Sequence, residues 1–485
     1  MIEDNRLNIV KTVAECRNFT AAAKALGISQ PAVSQAVAEL ERQLNVRLFD
    51  RSRSGITLTL QGEDFMKSAE KILAEYKTIE RRFKKKESLL LRHVTLNGEK
   101  TNVLMEGNRF AEIGACEDCS ADEVIEADSL AIIPSFFNTH NHAAMVLLRG
   151  YADDMPLQKW LTEYIWPFED SLKPEDIRRG SDIAVKEMIA SGSTFFNDMY
   201  FDIEETVKSV DQSGMRACLG ITVMENHSKA VTEAKMDFVR NWTDPTGGRI
   251  KIMMAPHAIY TVGKEKLKSS AAFARKQGIG LHIHLSETVQ EVQDCLREHG
   301  KTPVEYLDSI GFLGPDVIAA HCVHVTEKEW KILAKRGVTV SHCPASNMKL
   351  GSGRFPYELA LNSGCRITLG TDGASSNNNL DMRESMKLAA LLAKVSGDPT
   401  LLPAEEIFRW ATKNGAEAFG LDAGEIKVGR LADAILVDLN APRMTPCHNL
   451  ISNVVYAADS SCIAGVICDG KIISGGERLT SAQGC

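Results

Sequence analysis

Between residues 131 and 421 the sequence repeats one alternation eight times: a short apolar run, then an amphipathic segment. The runs are Leu130 to Thr139, Ser193 to Met199, Ala217 to Met224, Lys251 to Ala255, Gly280 to His284, Val317 to His321, Val338 to His342 and Ile367 to Thr371. Glycines 192, 214, 278, 337 and 364 fall where a helix has to stop ahead of the next strand. This pattern predicts parallel strands closed into an α/β TIM-like (β/α)8 barrel. An open doubly wound sheet is the competing arrangement, but no glycine-rich phosphate-binding turn follows the first run.

In such a barrel the working groups sit at the C-terminal ends of the strands. Read in order, those ends offer His140 and His142, His257, His284 followed by Glu287, His321, His342, and Asp372. His140 and His142 are one residue apart, so an extended strand projects both to one side, close enough to grip one ion. Three histidines and an aspartate leave room for a water on Zn²⁺ or a similar ion, whose pKa then falls toward about 7. Spacing alone leaves His282 and His284 as rival ligands, with His282 expected in the packed barrel interior. His342 is either a core residue or a substrate contact. His324 is expected just behind the site, and His93, His227, His299 and His448 on the surface.

A chain of 485 residues exceeds one ordinary domain, and 44% hydrophobic with 25% charged residues is a soluble globular composition. No apolar run approaches the roughly 18 residues needed to cross a bilayer. Met1 to Arg6 lacks the basic start and apolar core of a signal peptide, so a cytoplasmic protein without membrane contact is expected. Of twelve cysteines, Cys116 and Cys119 alone form a C-x-x-C, and no second pair completes a zinc knuckle. Reduced, mostly buried thiols are expected in that compartment.

The net charge of −8 is unevenly spread. Residues 1–90 carry 16 Lys or Arg against 12 Asp or Glu, a balance of +4 that leaves −12 for the remainder. A basic front on an acidic body points to two partners, one of them polyanionic. Within that front, Phe19 to Leu26 is an Ala-rich helix ended by Gly27, and Ser29-Gln30-Pro31 opens a second helix with a capping residue and an early proline. The second helix has Ala32, Val33, Ala36, Val37 and Leu40 on one face and Gln30, Ser34, Gln35 and Ala38 outward. Helix, turn, helix with small polar residues outward fits a major groove. Asp50 to Gly55 and Ile56 to Thr59 then read as a basic turn and strand, a wing along the phosphates.

Phe19-Thr20-x-Ala22-Ala23, Ser29 to Ser34, Leu40-Glu41, Leu48-Phe49-x-Arg51 and Leu58-Thr59-x-x-Gly62 resemble the DNA-binding domain of LysR-type transcriptional regulators, over about Leu7 to Tyr76. The resemblance implies double-stranded DNA as a partner, contacted through Gln30, Pro31, Ser34, Gln35, Arg51 and Arg53. It also implies a homo-oligomer formed through a linker helix, on which Phe65, Ala69, Ile72, Leu73, Tyr76, Ile79 and Phe83 recur at helical spacing. After Arg81 to Lys86 the family's usual effector domain does not follow.

Strand-like pieces flank the barrel: Arg92 to Leu96, Asn102 to Met105, Arg109 to Ile113 and Glu123 to Ala127 before it, Ala432 to Val437, Ile463 to Cys468 and Lys471 to Ile473 after it. The expected organisation is therefore multidomain: an all-α winged helix-turn-helix with linker helix over 1–88, a β-sandwich from 89–130 and 422–485, and the barrel over 131–421.

From Leu89 onward the chain resembles the amidohydrolase superfamily, and within it the methylthioadenosine/S-adenosylhomocysteine deaminases. The strings that carry this are Thr139-His140-x-His142, Leu148-Arg149-Gly150, Trp160-Leu161, Pro167-x-Glu169, Ala255-Pro256-His257, His284-x-x-Glu287, Ala320-His321-Cys322, Ser341 to Asn347 and Gly370 to Gly373. The resemblance implies one divalent ion, Zn²⁺ with Fe²⁺ as the alternative, held by His140, His142, His284 and Asp372. It makes Glu287 the proton shuttle and substrate contact, His321 the residue holding water or oxyanion, and Asp372 also a proton acceptor. Glu169 would bind the ribose hydroxyls and His257 the substrate, with Trp160 either packing on the nucleoside or in the core. Members handling S-adenosylhomocysteine hold its carboxylate with an arginine after strand 3, where Glu225 to Lys235 offers Lys229 and Lys235. Lys251, early in strand 4, is poorly placed to bridge two ions, which favours one.

The expected activity is hydrolytic deamination of an adenosine-type nucleoside (adenosine, methylthioadenosine or S-adenosylhomocysteine) to the inosine analogue and ammonia. Two other readings stand beside it: a LysR-like regulator using the barrel as ligand sensor, and a guanine- or triazine-type hydrolase.

Overall fold

The computed structural model describes residues 5–52, 55–83, 87–114, 119–395, 397–476 and 479. They form two compact units, one of Met1–Lys85 with Trp242–Gly248 and one of Lys86–Asn241 and Arg249–Cys485.

In the first unit, helices Asn5–Cys16, Phe19–Leu26 and Gln30–Leu44 precede a two-stranded antiparallel hairpin, Phe49–Ser52 with Gly55–Leu58, and a long helix, Leu60–Phe83. Local chemistry sets the boundaries. Asn18 Oδ1 accepts from the Thr20 and Ala21 amides at 2.8 and 3.0 Å, and Gly27 closes the second helix in the left-handed region. Ser29 Oγ caps the third helix from the Ala32 amide at 3.3 Å. Val10, Val13, Ala22, Val33, Val37 and Leu48 are fully buried together, and truncating one of the valines or Leu48 would cost about 2 to 5 kcal/mol. Glu41 Oε1 accepts from the Leu48 and Phe49 amides at 2.7 and 3.1 Å, which fixes where the hairpin leaves the helices. Gly62 has to be glycine, because a Cβ there would lie 2.1 Å from the Leu48 carbonyl oxygen. Ala32, expected inward, is exposed, since it occupies the first turn, ahead of the buried stripe.

The second unit is built on eight parallel strands: β1 (Phe136–Asn141), β2 (Ser193–Tyr200), β3 (Arg216–Val223), β4 (Ile250–Pro256), β5 (Gly280–Leu285), β6 (Val317–His321), β7 (Thr339–His342) and β8 (Arg366–Leu369). Each pairs in parallel with the next, from β1 through β8. Between β8 and β1 the barrel is nearly closed by individual rungs: Asp372 N donates to His140 O at 3.0 Å, Asn138 Nδ2 to Thr371 Oγ1 at 2.7 Å and Thr139 Oγ1 to Leu369 O at 3.0 Å.

The interior is layered. Phe137, Phe195, Cys218, Met253 and Ile318 pack against Phe419 in an apolar floor. Above it comes a polar layer of Asn197, His282, Thr139 and Ser341, with Asn197 Nδ2 3.1 Å from His282 Nδ1 and the Thr139 and Ser341 hydroxyls 2.7 Å apart. The register slips between Asn138 and Asn141, so Thr139 joins this layer while His140 still reaches the mouth.

The first apolar run is two strands rather than one. Leu130–Pro134 pairs antiparallel with Ala434–Asp438 outside the barrel, and β1 begins only after Ser135. Proline 134 ends the first ladder because it has no N–H to donate. The flanking pieces form one hydrogen-bonded sheet that joins strands from both ends of the second unit around a shared apolar core with Leu91, Val103, Phe110, Leu436 and Ile467. Arg216, at the start of β3, holds this sheet to the barrel: its guanidinium donates to Asp433 at 2.7 and 3.2 Å and to Asp469 at 2.6 Å, with Arg216 and Asp433 both buried. Of the C-x-x-C, Cys116 lies outside the described residues, and Cys119 is disulfide-bonded rather than reduced. It is half-exposed. Nine other described cysteines are free. Among the described residues no helix is long and apolar enough to cross a membrane.

Candidate active site

At the carboxyl ends of the strands, His140, His142, His284, His321 and Asp372 converge. His140 Nε2 and His142 Nε2 lie 3.4 and 3.2 Å from Asp372 Oδ1, and His284 Nε2 lies 3.4 Å from His142 Nε2. The donor atoms of His140, His142 and Asp372, and likewise those of His140, His284 and His321, fall within 4.8 Å of one another. Each group is held from behind, which leaves its inner atom free. His142 Nδ1 donates to Met199 O at 2.6 Å, His284 Nδ1 to His257 O at 2.8 Å, and His321 Nδ1 to Asn347 Oδ1 at 2.8 Å. His140 Nδ1 is hydrogen-bonded to His282 Nε2 at 2.9 Å. Ser346 and Ser376 donate to Asp372 Oδ2 at 2.6 and 3.0 Å. Such back-bonding orients metal-ligating side chains.

Burial lowers His140 to about 4 and His284 well below the ordinary histidine range, so both present neutral rings. Burial also opposes the charge on Asp372, but the adjoining His140 and His142 imidazoles overcome it and hold the carboxyl well below its usual range. A fully buried His140 Nε2 without a hydrogen-bond partner, aimed at an ionised carboxylate, fits a divalent cation. The Lys251 ammonium is far from this cluster in role: it donates to the Phe419 carbonyl, part of the floor, at 2.5 Å.

Glu287 follows β5 and is 4% exposed. Ser352 Oγ donates to its Oε1 at 3.0 Å, and His321 Nε2 lies 3.8 Å from Oε2. Burial raises its carboxyl above the usual range, against the pull of His321. His324 stands behind, its Nε2 donating to Ser352 O at 2.6 Å. Ser286, His321, Cys322 and Asp372 all have φ between 49° and 71°, a left-handed conformation that costs non-glycine residues about 1 to 3 kcal/mol each and collects at functional sites.

The cavity over this cluster is walled by the insertion after β1, with Leu157, Trp160, Leu161, Ile165 and Trp166, and by Glu169, Tyr200 and His257. A π-helical turn, Leu161–Ile165, sits in that insertion, a distortion frequent at functional sites. Burial pushes Glu169 up to about 7, with the neighbouring Tyr200 hydroxyl pulling it back. His257 is lowered to about 3 by burial and bonded through Nδ1 to Thr261 Oγ1 at 2.8 Å. Trp160 is both core and wall.

Some expected residues fall elsewhere. His282 lies in the barrel interior beneath His140. His342 is no part of the cavity; its Nε2 is 2.8 Å from Tyr357 Oη and its ring stacks on Phe355, because β7 turns Ser341 inward and His342 away. His227 is half-buried rather than superficial, accepting from the Met224 amide at 3.3 Å. Lys235 donates to Thr222 O at 2.6 Å, behind the wall, while Lys229 is exposed. In the first unit Gln30, Pro31 and Gln35 are exposed and Ser34 is half-buried; the Arg51 side chain and all of Arg53 lie outside the described residues. Sequence alone does not mark Tyr200, Ser352 or Ser376, and it marks Ser346 only as part of a family string with no role attached. Ser376, one helical turn beyond Asp372, was the most accessible of these by spacing.

A barrel of eight parallel strands with imidazoles and a carboxylate gathered at its carboxyl ends is the architecture of metal-assisted hydrolases. The chain belongs to the amidohydrolase family, whose model matches residues 131–473. It is 47% identical over 380 residues to the 5'-deoxyadenosine deaminase of Methanosarcina mazei, covering 77% of this chain and 88% of that one. It is 49% identical over 380 residues to the 5-methylthioadenosine/S-adenosylhomocysteine deaminase of Pelotomaculum thermopropionicum, covering 76% and 88%. Among solved structures, an adenosine deaminase from Xanthomonas campestris with bound zinc superposes with a TM-score of 0.76 at 32% identity, over 82% of this chain and 96% of that chain. Residues 5–63 match the bacterial regulatory helix-turn-helix protein model of the lysR family. The chain is an enzyme of the amidohydrolase family that carries a LysR-type helix-turn-helix at its front.

Proposed function

We propose that the barrel is a metal-dependent hydrolytic deaminase of adenosine-type nucleosides, releasing ammonia and the inosine analogue. The observation that carries this is a buried acid, Glu287, set beside the neutral imidazoles of His140 and His284 and an ionised aspartate, under an apolar wall. The relatives named for 5'-deoxyadenosine and methylthioadenosine support a nucleoside with a small apolar 5' group, and the Leu157, Leu161, Ile165 and Trp166 walls agree with it. His140, His142, His284 and Asp372 would hold the ion, zinc first and Fe²⁺ second. When bound, that ion supplies the acidity that ionises a water near neutral pH.

The chain's own residues do the rest. Asp372 accepts a proton from the attacking water, and His321, fixed by Asn347, steadies the developing oxyanion. Glu287 gives its proton to the ring nitrogen as C6 becomes tetrahedral; the proton held by Asp372 then passes to the departing amino group, and Glu287 takes up the remaining proton of the former water as the C6 carbonyl forms. The C–N bond breaks and ammonia leaves. Glu169 would accept from the ribose hydroxyls and His257 would contact the nucleoside. The experiment is ammonia release across 5'-deoxyadenosine, methylthioadenosine, S-adenosylhomocysteine, adenosine and guanine, with metal content assayed in parallel. Turnover confined to guanine, or indifference to chelation and metal restoration, would overturn the reading.

For the first unit we propose a winged helix-turn-helix acting on double-stranded DNA in the cytoplasm. Gln30, Pro31, Ser34 and Gln35 would face the groove, with Arg51 and Arg53 along the phosphates. The exposed polar start of helix Gln30–Leu44 supports it. Residues 1–88 would be this domain, with Leu60–Phe83 pairing two copies. The flanking sheet, read as a small sandwich from 89–130 and 422–485, would brace the 131–421 barrel. The regulator reading, with the barrel as ligand sensor, predicts nucleoside-dependent DNA affinity; a gel shift without salt-sensitive binding would remove it.

A further inference from the structure

Glu291 is a fully enclosed carboxylate that the proposed reaction does not use. It lies in the first turn of helix Val289–His299 and is 4% exposed. Only Ser286, Glu287 and Thr288 separate the end of β5 from that helix, so the direction of the Glu287 side chain is set by a very short turn. Ser286 adopts φ 49° there. Its amide and that of Glu287 fall between the β5 ladder and the helix, and would lack acceptors. Glu291 Oε1 accepts from Ser286 N and Oε2 from Glu287 N, both at 2.8 Å. One carboxylate thus spans two successive amides, with the Ser286 carbonyl accepting from His324 N at 2.9 Å on the far side. No salt bridge to Glu291 occurs among the described residues.

The exit of β6 supplies a contrast. Glu329 holds the corresponding place in helix Glu327–Arg336 and is 2% exposed, but its Oε2 accepts from Thr326 N and Thr326 Oγ1, at 2.9 and 2.6 Å. That is an ordinary capping box, closing the helix on its own first residue. Glu291 reaches one and two residues further back, past the cap Thr288, onto the acid itself. A buried carboxylate is costly unless its hydrogen bonds are met, and here they are met by the backbone that aims Glu287.

We propose that Glu291 is a positioning residue for the deaminase reaction, its carboxylate clamping the Ser286 and Glu287 amides so that Glu287 meets the substrate at a fixed angle. This rests on the reading of Glu287 as the proton carrier. The test compares Glu291→Gln, Glu329→Gln and Glu287→Gln in the full, metal-loaded chain, reading kcat per bound metal, KM and the unfolding midpoint. In Glu291→Gln the side-chain NH2 faces a backbone N–H, so one of the two bonds is lost; kcat is expected to fall about 10- to 100-fold with KM within twofold and metal retained. Glu329→Gln should lower the unfolding midpoint alone. Should Glu291→Gln not fold, Glu291→Asp keeps the charge but reaches only one amide, and is expected to show the same loss in kcat. Parent-like kcat in the folded Glu291 variant, or an equal loss in Glu329→Gln, overturns the proposal. If Glu287→Gln itself turns over like the parent, the proton-carrier reading fails instead.

Discussion

The two ends of the barrel solve opposite problems with the same kinds of residue. At the mouth, His140 Nε2 is buried without a hydrogen-bond partner, and His321 and Asp372 are held on backbone in the left-handed conformation. At the floor, Arg216 meets Asp433 and Asp469 with matched hydrogen bonds, Lys251 is tied to a carbonyl, and aromatic rings fill the remaining space. Charge at the mouth is kept available, whereas charge at the floor is neutralised. The difference predicts that mutations at the two ends will separate activity from stability.

The sharpest break is Glu287→Gln, which should retain metal and fold while kcat drops about 10²- to 10⁴-fold; turnover equal to the parent would abolish the distinction. Next, Asp433→Ala leaves the Arg216 guanidinium buried with half its partners, which should cost about 3 to 5 kcal/mol of stability in denaturant titration while kcat per folded molecule is unchanged. A third effect belongs to pH. Glu169 is pushed up to about 7 by burial, opposed by Tyr200 and His142 and reinforced by Asp170, and its ionised form is the proposed acceptor for ribose hydroxyls. KM for a nucleoside should therefore rise as pH falls below that value, by about tenfold per unit. The limb should vanish in Glu169→Gln, and its persistence there would assign it to another group. The smallest change is Lys251→Met, where a flexible apolar chain replaces the stem under Phe419; stability should move by about 1 kcal/mol or less and metal content not at all.

Strand ends were legible in the sequence because the residues that mark them, His140, His284, His321 and Asp372, break apolar runs. Which way a side chain faces was harder. His342 closes β7 as His321 closes β6, yet Ser341 takes the inward position, so the histidine is turned onto Phe355 and Tyr357. The run Leu130 to Thr139 concealed a passage from one sheet to another, since an unbroken apolar stretch satisfies both and only Pro134 marks the change. By sequence Glu291 is indistinguishable from any other acidic residue in a first helical turn. Its reach to the Glu287 amide depends on the Ser286 backbone angle, which no residue pattern announces. Among the first-unit residues, capping and burial followed the pattern closely because they act within a few positions.

The seam between β8 and β1 couples residues more than two hundred positions apart through a handful of rungs, among them Asp372 N to His140 O. Gly370 is pinched there, a Cβ at that point lying 2.9 Å from His140 Cβ. The proposed ion-binding quartet is therefore split across that joint, and a nascent chain cannot assemble it until the last barrel strand docks. A bulky side chain at position 370 would keep the zipper from closing, leaving a nearly complete protein with no reaction centre.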